Sequence, residues 1–354
     1  MKLLVLPGDG IGPEITEATL AVVDAADRRF ALGLRYDHEL IGFPALEKFG
    51  TTFPDHVRAK VAHNDGVILG PVSHLDYPPR EQGGINPSGE FRVKWDLYAN
   101  VRPAKSRLGL SRVGKPMDLV IMRQCTEGFY ADRNMFMGVG EFMPTPDIAL
   151  AVRKVTAQAA RKIAVKSFEL ARTRRRKVTV VHKQNVMKMS DGLWLREARA
   201  VAQDYPDVEL DEKIVDATAA LLVRDPSQFD VMMCENMFGD ILSDEAGELS
   251  GSLGLAGSTN EGDDFCVAQA QHGSAPDIAG KGIANPTSLI LSAGMLFDWY
   301  GRRAGESMLV EAAAAIERAV DSVLIDPQRR TGDLGGPLGT RAFTDEVVRA
   351  LAHV

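Results

Sequence analysis

The sequence predicts an α/β fold divided into two domains. Three observations carry that expectation. Short apolar runs of strand length alternate along the chain with amphipathic stretches of helix length. The 354 residues suffice for a large core and suit two domains. Gly- and Pro-rich loops, not polar low-complexity tracts, separate the periodic segments, and no internal repeat interrupts the pattern.

Leu3–Leu6 reads as a buried first strand. The loop Pro7-Gly8-Asp9-Gly10-Ile11-Gly12 follows, and Pro13-Glu14 suits the first turn of a helix. Glycines at such a turn let backbone approach a phosphate, but GDGIGPE is neither GxGxxG nor GxxxxGK[ST], and a plain tight turn explains it equally. Gly66–Gly70 is a second buried strand, and Pro71–Glu90 reads as a long loop, of a length that is often functional in compact domains. Asp96–Val101 and Asp118–Arg123 are strands with Arg92, Arg102 and Arg123 near their ends. Arginine forks bind carboxylates in bidentate fashion, although each of these arginines also fits a solvated surface.

The stretch Ala131–Pro146 is rich in Met and Phe. It reads either as an apolar arm docking on a second subunit or as internal packing. Ile148–Arg172 reads as one long amphipathic helix, closed by the basic run Arg172–Lys177. Cations at a helix C-terminus are the simple reading of that run. Lys177–His182 is a strand with Lys183 at its end, and Val208–Asp216 leads to Asp216 at a strand-to-helix junction. Val231–Cys234 is a short buried strand. It is followed by a polar corner, Glu235-Asn236, and a helix on which Ile241, Leu242, Ala246 and Leu249 can pack. Asp240, Asp244 and Glu248 recur every four residues on another face. Such carboxylates repel by about 0.2–0.5 kcal/mol on an exposed helix, and a hard divalent cation between them would reverse the sign. A solvated acidic face is the alternative. Position just after a buried strand favours a ligand site, because open α/β sheets bind ligands at strand C-termini. Gly251–Asp264 and His272–Pro286 read as loops, and Ser288–Trp299 and Glu311–Val323 as closing helices.

Composition limits the partners. Hydrophobic residues make up 45% and charged residues 25%, ordinary for a globular protein. The net charge of −7 gives no reason to expect nucleic acid or an anionic membrane as partner, and no apolar stretch reaches transmembrane length. The apolar run before Pro7 is too short for a signal peptide, and three cysteines without a CxxC motif suit a reducing compartment. The expected location is cytoplasmic.

Six segments, in order, resemble one family, the β-decarboxylating dehydrogenases acting on isocitrate, homoisocitrate, 3-isopropylmalate, tartrate or D-malate. They are GDGIGPE, LYANVRPAKS at Leu97–Ser106, TEGFY at Thr126–Tyr130, VVHKQNVMKMSDGL at Val180–Leu193, FGDILSD at Phe238–Asp244 and GSAPDIAGKGIANP at Gly273–Pro286. The resemblance implies two α/β domains with a shared mixed sheet and a dimerisation arm. Residues 1–99 with 252–354 would form the cofactor-binding domain, and 100–251 the smaller domain with the dimer interface and a clasp near 131–146.

It further implies NAD-linked oxidation and decarboxylation of a 3-substituted malate with Mg²⁺ or Mn²⁺, in a homodimer with shared active sites. Tyr130 and Lys183 match the acid–base pair. Asn86, Ser88, Arg92, Arg102 and Arg123 match substrate contacts. Asp240 and Asp244 match the metal carboxylates of one subunit, with Asp216 given by the other. Asn185 matches the nicotinamide side, and His272, Gly273, Ser274, Ala275 and Asn285 the adenosine side. Asp277 and Ile278 stand where NADP-using members carry Lys and Tyr, and a carboxylate there repels a 2′-phosphate, so NAD is the expected cofactor.

The match frays at named places. Ser88 and Gly89 stand where isopropylmalate enzymes have leucines, which leans toward a polar or small C3 substituent. Gln124-Cys125 replaces the usual Glu-Asn, and Gln269 the usual Glu three residues before the cofactor-loop histidine. A tartrate- or D-malate-type enzyme, or a noncatalytic subunit of a heteromeric isocitrate dehydrogenase, are the alternatives.

Overall fold

The computed structural model describes residues 1–130, 132 and 135–354. Twelve strands are described among them. They are β1 (Lys2–Leu6), β2 (Arg35–His38), β3 (Gly66–Leu69), β4 (Ala99–Lys105), β5 (Asp118–Gln124), β6 (Glu141–Thr145), β7 (Ile148–Ala151), β8 (Lys177–His182), β9 (Glu209–Ile214), β10 (Val231–Cys234), β11 (Thr259–Glu261) and β12 (Cys266–Gln269). The helices are α1 (Gly12–Phe30), α2 (Phe43–Phe49), α3 (Asp55–Val61), α4 (Pro87–Lys94), α5 (Ala157–Arg172), α6 (Ser190–Ala202), α7 (Val215–Arg224), α8 (Asn236–Ser250), α9 (Thr287–Ala304), α10 (Ser307–Leu324) and α11 (Thr340–Leu351).

The chain forms two compact α/β units. The first comprises Met1–Lys94, Arg107–Leu110 and Gly251–Val354. Its strands run in the order β2-β1-β3-β12-β11, parallel except for the β11–β12 pair. Leu3, Leu4, Val5 and Leu6 are all fully buried, as expected of a parallel strand covered on both faces. Helices α1, α9, α10 and α11 close the core through Val22, Phe297, Ile316, Val320 and Phe343.

The second unit comprises Trp95–Ser106 and Ser111–Ser250. Its order is β4-β5-β10-β8-β9, with only β4–β5 antiparallel. Leu119, Ile121, Phe229, Met232, Leu242 and Ala246 form its core. Strands β6 and β7 pair separately as an antiparallel hairpin. Every residue of both strands is exposed, and so are Met135, Phe136 and Met137 before them. Internal packing therefore does not account for these side chains within one chain. Ala131, Arg133 and Asn134, part of the expected clasp, lie outside the described residues.

Several expectations need correction. The segment read as a helix over Ile148–Arg172 is two elements. Ile148–Ala151 is strand β7, and α5 begins only at Ala157, where the Thr156 side chain accepts from the Ala159 N–H as an N-cap. The run IALAV suits either period, and pairing with β6 decides it. The strand read at Asp96 starts at Ala99, because Asp96 takes a left-handed conformation (φ 46°) in a turn. The loop over Pro71–Glu90 ends in α4, with Pro87 opening the helix. Ile241 points outward at 61% exposed. Strands β2, β11 and β12 have no counterpart in the sequence reading.

The basic run after α5 is spent on structure. Arg172 pairs with Asp207, Arg174 with Asp118 and Asp230, and Arg175 donates to main-chain carbonyls of Asp118 and Phe229. No helix among the described residues is long and apolar enough to cross a membrane.

Candidate active site

In the second unit, β5 and β10 run parallel with Arg123 beside Cys234, so Arg123 ends its strand where α8 begins. Arg123 is almost fully buried. Its Nε donates to the Asn236 carbonyl (3.0 Å) and Oδ1 (2.9 Å), and Nη2 donates to Asn236 Oδ1 and the Tyr130 hydroxyl, both at 2.7 Å. Nη1 reaches Asp240 Oδ1 at 2.5 Å. The Tyr130 hydroxyl in turn donates to Asp240 Oδ2 at 2.7 Å. From β4, Arg102 Nη1 donates to Ser243 Oγ (2.7 Å), Asp240 Oδ1 (3.2 Å) and Asp244 Oδ1 (3.3 Å). Two guanidinium groups and a phenol thus fix one carboxylate, the strong charge-assisted kind of hydrogen bond. Gly239 permits the arrangement. A Cβ there would lie 2.7 and 2.8 Å from Arg123 Cγ and Cβ.

Lys183 follows β8, and the pairing of His182 with Ile214 brings the ends of β8 and β9 together. Its ammonium forms an ion pair with Asp216 in the first turn of α7. That hydrogen bond holds the Asp216 carboxyl below its usual range. The Lys183 main-chain N–H donates to the buried Asp191 carboxylate, itself paired with Arg153. Asn185 lies exposed in the turn that follows. Arg153 also faces Glu235 at 3.4 Å, yet burial pushes the Glu235 carboxyl above its ordinary value.

In the first unit, Asn86 Oδ1 accepts from the Gly89 N–H (3.3 Å) and so starts α4, which carries Ser88 and Arg92. Arg92 Nε donates to Asn260 Oδ1 (2.9 Å), Asn260 Nδ2 to Gln269 Oε1 (3.3 Å), and Gln269 Nε2 to Ser88 Oγ (2.6 Å). The loop after β1 touches the loop after β12 directly. The Ile11 N–H donates to the Ser274 carbonyl at 2.8 Å, and Ser274 Oγ meets Ser73 Oγ at 2.7 Å. Gly10, at φ 57°, is required here, because a Cβ would sit 2.0 Å from the Ser274 carbonyl oxygen. The Asp9 carboxylate ties this loop to its neighbours by accepting from the main-chain N–H of Phe43 (2.7 Å) and Ser73 (3.0 Å) and from the Tyr77 hydroxyl.

His272 shares a 2.9 Å contact with the Gly273 carbonyl through Nδ1, and burial lowers its pKa. A proton on Nδ1 leaves Nε2 as an acceptor, buried and without a partner among the described residues. Gly273 and Asp277 are exposed, whereas Ala275 and Ile278 pack against the core. Asn285 accepts from the Thr287 N–H and donates to Asp333, both at 3.0 Å.

The donor chemistry fits the groups expected of such a site. Asp240 and Asp244 are half-exposed carboxylates close enough for one guanidinium nitrogen to contact both, and hard divalent cations take such oxygens. Among the described residues no group of three or more His, Cys, Asp or Glu side chains is assembled to hold a metal. The glycine loops and the orphaned His272 Nε2 fit a nucleotide whose adenine offers an amino donor.

Sequence reasoning missed Asn236, Ser243, Asn260 and Asp9, which orient the predicted residues. Asn236 lay in the polar corner after β10, and Asp9 and Ser243 within GDGIGPE and FGDILSD, whereas Asn260 carried no signal.

Comparison with known proteins gives concordant results. The model of the isocitrate/isopropylmalate dehydrogenase family matches residues 2–350. An isocitrate/homoisocitrate dehydrogenase of Thermus thermophilus is 40% identical over 353 residues, covering 99% of this chain and 98% of the relative. A 3-isopropylmalate dehydrogenase of Archaeoglobus fulgidus is 38% identical over 351 residues, covering 99% of each. The solved isocitrate dehydrogenase from Methylococcus capsulatus superposes with a TM-score of 0.87 at 38% identity, again covering 99% of each chain.

Proposed function

The chain belongs to the isocitrate/isopropylmalate dehydrogenase family, and on that premise we propose that it oxidises and decarboxylates a malate bearing a polar or small C3 group, with NAD as cofactor. The coarser reaction class, oxidative decarboxylation of a hydroxy acid with a nicotinamide cofactor and a divalent metal, comes with the family. The observation that supports the finer reading is Ser88 in the first turn of α4, a hydroxyl where an alkyl substituent would need an apolar seat; the Asp240 carboxylate, held by Arg123, Tyr130 and Arg102 at the start of α8, supports the reaction class.

Arg92, Arg102 and Arg123 would bind the substrate carboxylates as forks. Lys183 of a second copy would take the C2 hydroxyl proton, and the nicotinamide cofactor when bound would supply the hydride acceptor. After CO₂ departs from C3 with its bonding pair left behind, the Tyr130 phenol would protonate that carbon. Arg123 Nη2, donating to the Tyr130 oxygen at 2.7 Å, would stabilise the phenolate that results. Asp240 and Asp244, with Asp216 of a second copy, would hold Mg²⁺ or Mn²⁺, which when bound supplies Lewis-acid polarisation.

Asp277 supports NAD, because its exposed carboxylate can accept from a ribose 2′-hydroxyl and repels a 2′-phosphate. The exposed hairpin β6–β7 supports a homodimer with shared sites. The test is a panel of isocitrate, homoisocitrate, 3-isopropylmalate, D-malate and tartrate with NAD⁺ and Mn²⁺, following NADH and CO₂ together. Turnover of an oxygen-bearing member, with NAD⁺ preferred over NADP⁺, is expected. No NADH from any member contradicts the proposal and favours the noncatalytic reading.

A further inference from the structure

Arginine only donates hydrogen bonds, and this fixes the direction of a relay of three hydrogen bonds. Arg92 Nε donates to Asn260 Oδ1, so the other end of Asn260 is its amino group, which donates to Gln269 Oε1. Gln269 is thereby turned with Nε2 toward Ser88, donating to Oγ at 2.6 Å. The amide orientations follow from the network, with Arg92 as the anchor. A hydroxyl carries one hydrogen. With its oxygen already accepting, Ser88 sends that hydrogen elsewhere, and among the described residues no acceptor takes it.

We infer that Gln269 is a positioning residue that turns Ser88 into a hydrogen-bond donor for the C3 substituent, selecting substituents with an acceptor oxygen, carboxylate or hydroxyl, over alkyl groups. The inference rests on the proposed function and specifies its substrate class. Glutamate at 269 could still accept from Asn260, but it would also accept the Ser88 hydrogen. An incoming carboxylate would then meet lone pairs and a negative charge in place of a donor. A site built to hydrogen-bond a substrate oxygen discriminates against analogues lacking it, because its polar groups are left unpaired.

The test compares wild type, Gln269→Glu, Ser88→Ala and the double variant with NAD⁺ and Mn²⁺. The substrates are isocitrate, 3-isopropylmalate and whichever oxygen-bearing panel member the wild type turns over fastest. The inference expects wild type to favour the oxygen-bearing substrate. It also expects Gln269→Glu to raise KM for that substrate about tenfold or more with a much smaller change in kcat. In the Ser88→Ala background the same substitution retains only its charge effect, so its influence on the kcat/KM ratio of oxygen-bearing to isopropyl substrate shrinks to about threefold or less. Gln269→Met, which neither donates nor accepts in this way, should give an intermediate ratio. An unchanged ratio, or one shifted equally with and without the Ser88 hydroxyl, overturns the relay while leaving the dehydrogenase reading intact. A wild type that prefers 3-isopropylmalate overturns the selection rule. A wild type inactive on the whole panel removes the functional reading first, and the inference with it.

Discussion

At the scale of single residues, Arg123 and Tyr130 act as one unit around Asp240. Arg123→Lys keeps the charge but loses the planar fork that contacts Asn236, Tyr130 and Asp240 together. Its kcat/KM should fall by about 10²-fold or more in steady-state assays, since removing one preorganised donor typically costs that much. Tyr130→Phe should depress kcat by about 10²-fold with little change in KM for NAD, because the proposed proton donor is lost together with its hydrogen bonds to Arg123 and Asp240. Near-normal turnover would take Tyr130 out of the chemistry. Glu235 makes a pH prediction. Burial raises its folded pKa, so the folded state holds this proton more tightly than the unfolded chain does. Glu235 thus lowers stability as pH rises from the usual carboxyl value toward its raised folded value. Urea titrations of Glu235→Gln should show its stability, relative to wild type, improving as pH rises through that window. A pH-independent difference would contradict the assignment. Arg102, Arg123, Tyr130 and Asp240, which the fold brings together, were named from the family resemblance, since an arginine or carboxylate at a strand end also fits a solvated surface. Their supports were not. Asn260 and Ser243 are ordinary polar residues until the fold sets them against Arg92 and Arg102.

At the scale of elements, α8 is held against Arg123 by Gly239. Gly239→Ala places a methyl group 2.7 to 2.8 Å from the Arg123 side chain, and overpacking of this kind costs about 1–3 kcal/mol. A lower thermal midpoint together with lower kcat is expected, because the helix and the arginine move apart. Unchanged kcat would mean that their closeness is not needed for turnover. Continuous apolar runs made β8 and β10 legible to their boundaries, since burial on both faces demands such a run. The hairpin was illegible for the opposite reason. Its apolar side chains are exposed in the single chain, so neither a helical nor a strand period oriented them. Phe142→Asp with Met143→Asp should convert the proposed dimer to monomer in analytical ultracentrifugation, with turnover lost and the melting of each chain little changed. A dimer that survives would assign the hairpin another role.

At the scale of the whole molecule, the α/β class was readable from the alternation of elements, and the family from six motifs in order. Composition could not reveal the return of the chain to its first unit after Gly251, because β11 and β12 lie in a polar, glycine-rich stretch whose pairing with β3 is long-range. Within one chain Asp216 is paired with Lys183, whereas Asp240 and Asp244 face Arg102. The proposed function takes the metal carboxylates from two copies. Asp216→Asn and Asp240→Asn should each be inactive alone. Subunits of the two variants, unfolded, mixed in equal amounts and refolded, should recover about a quarter of wild-type NADH formation, because half the dimers then carry one intact site. No recovery above either variant, in a mixture shown to contain hybrid dimers, would place all three aspartates in one polypeptide and contradict the shared site.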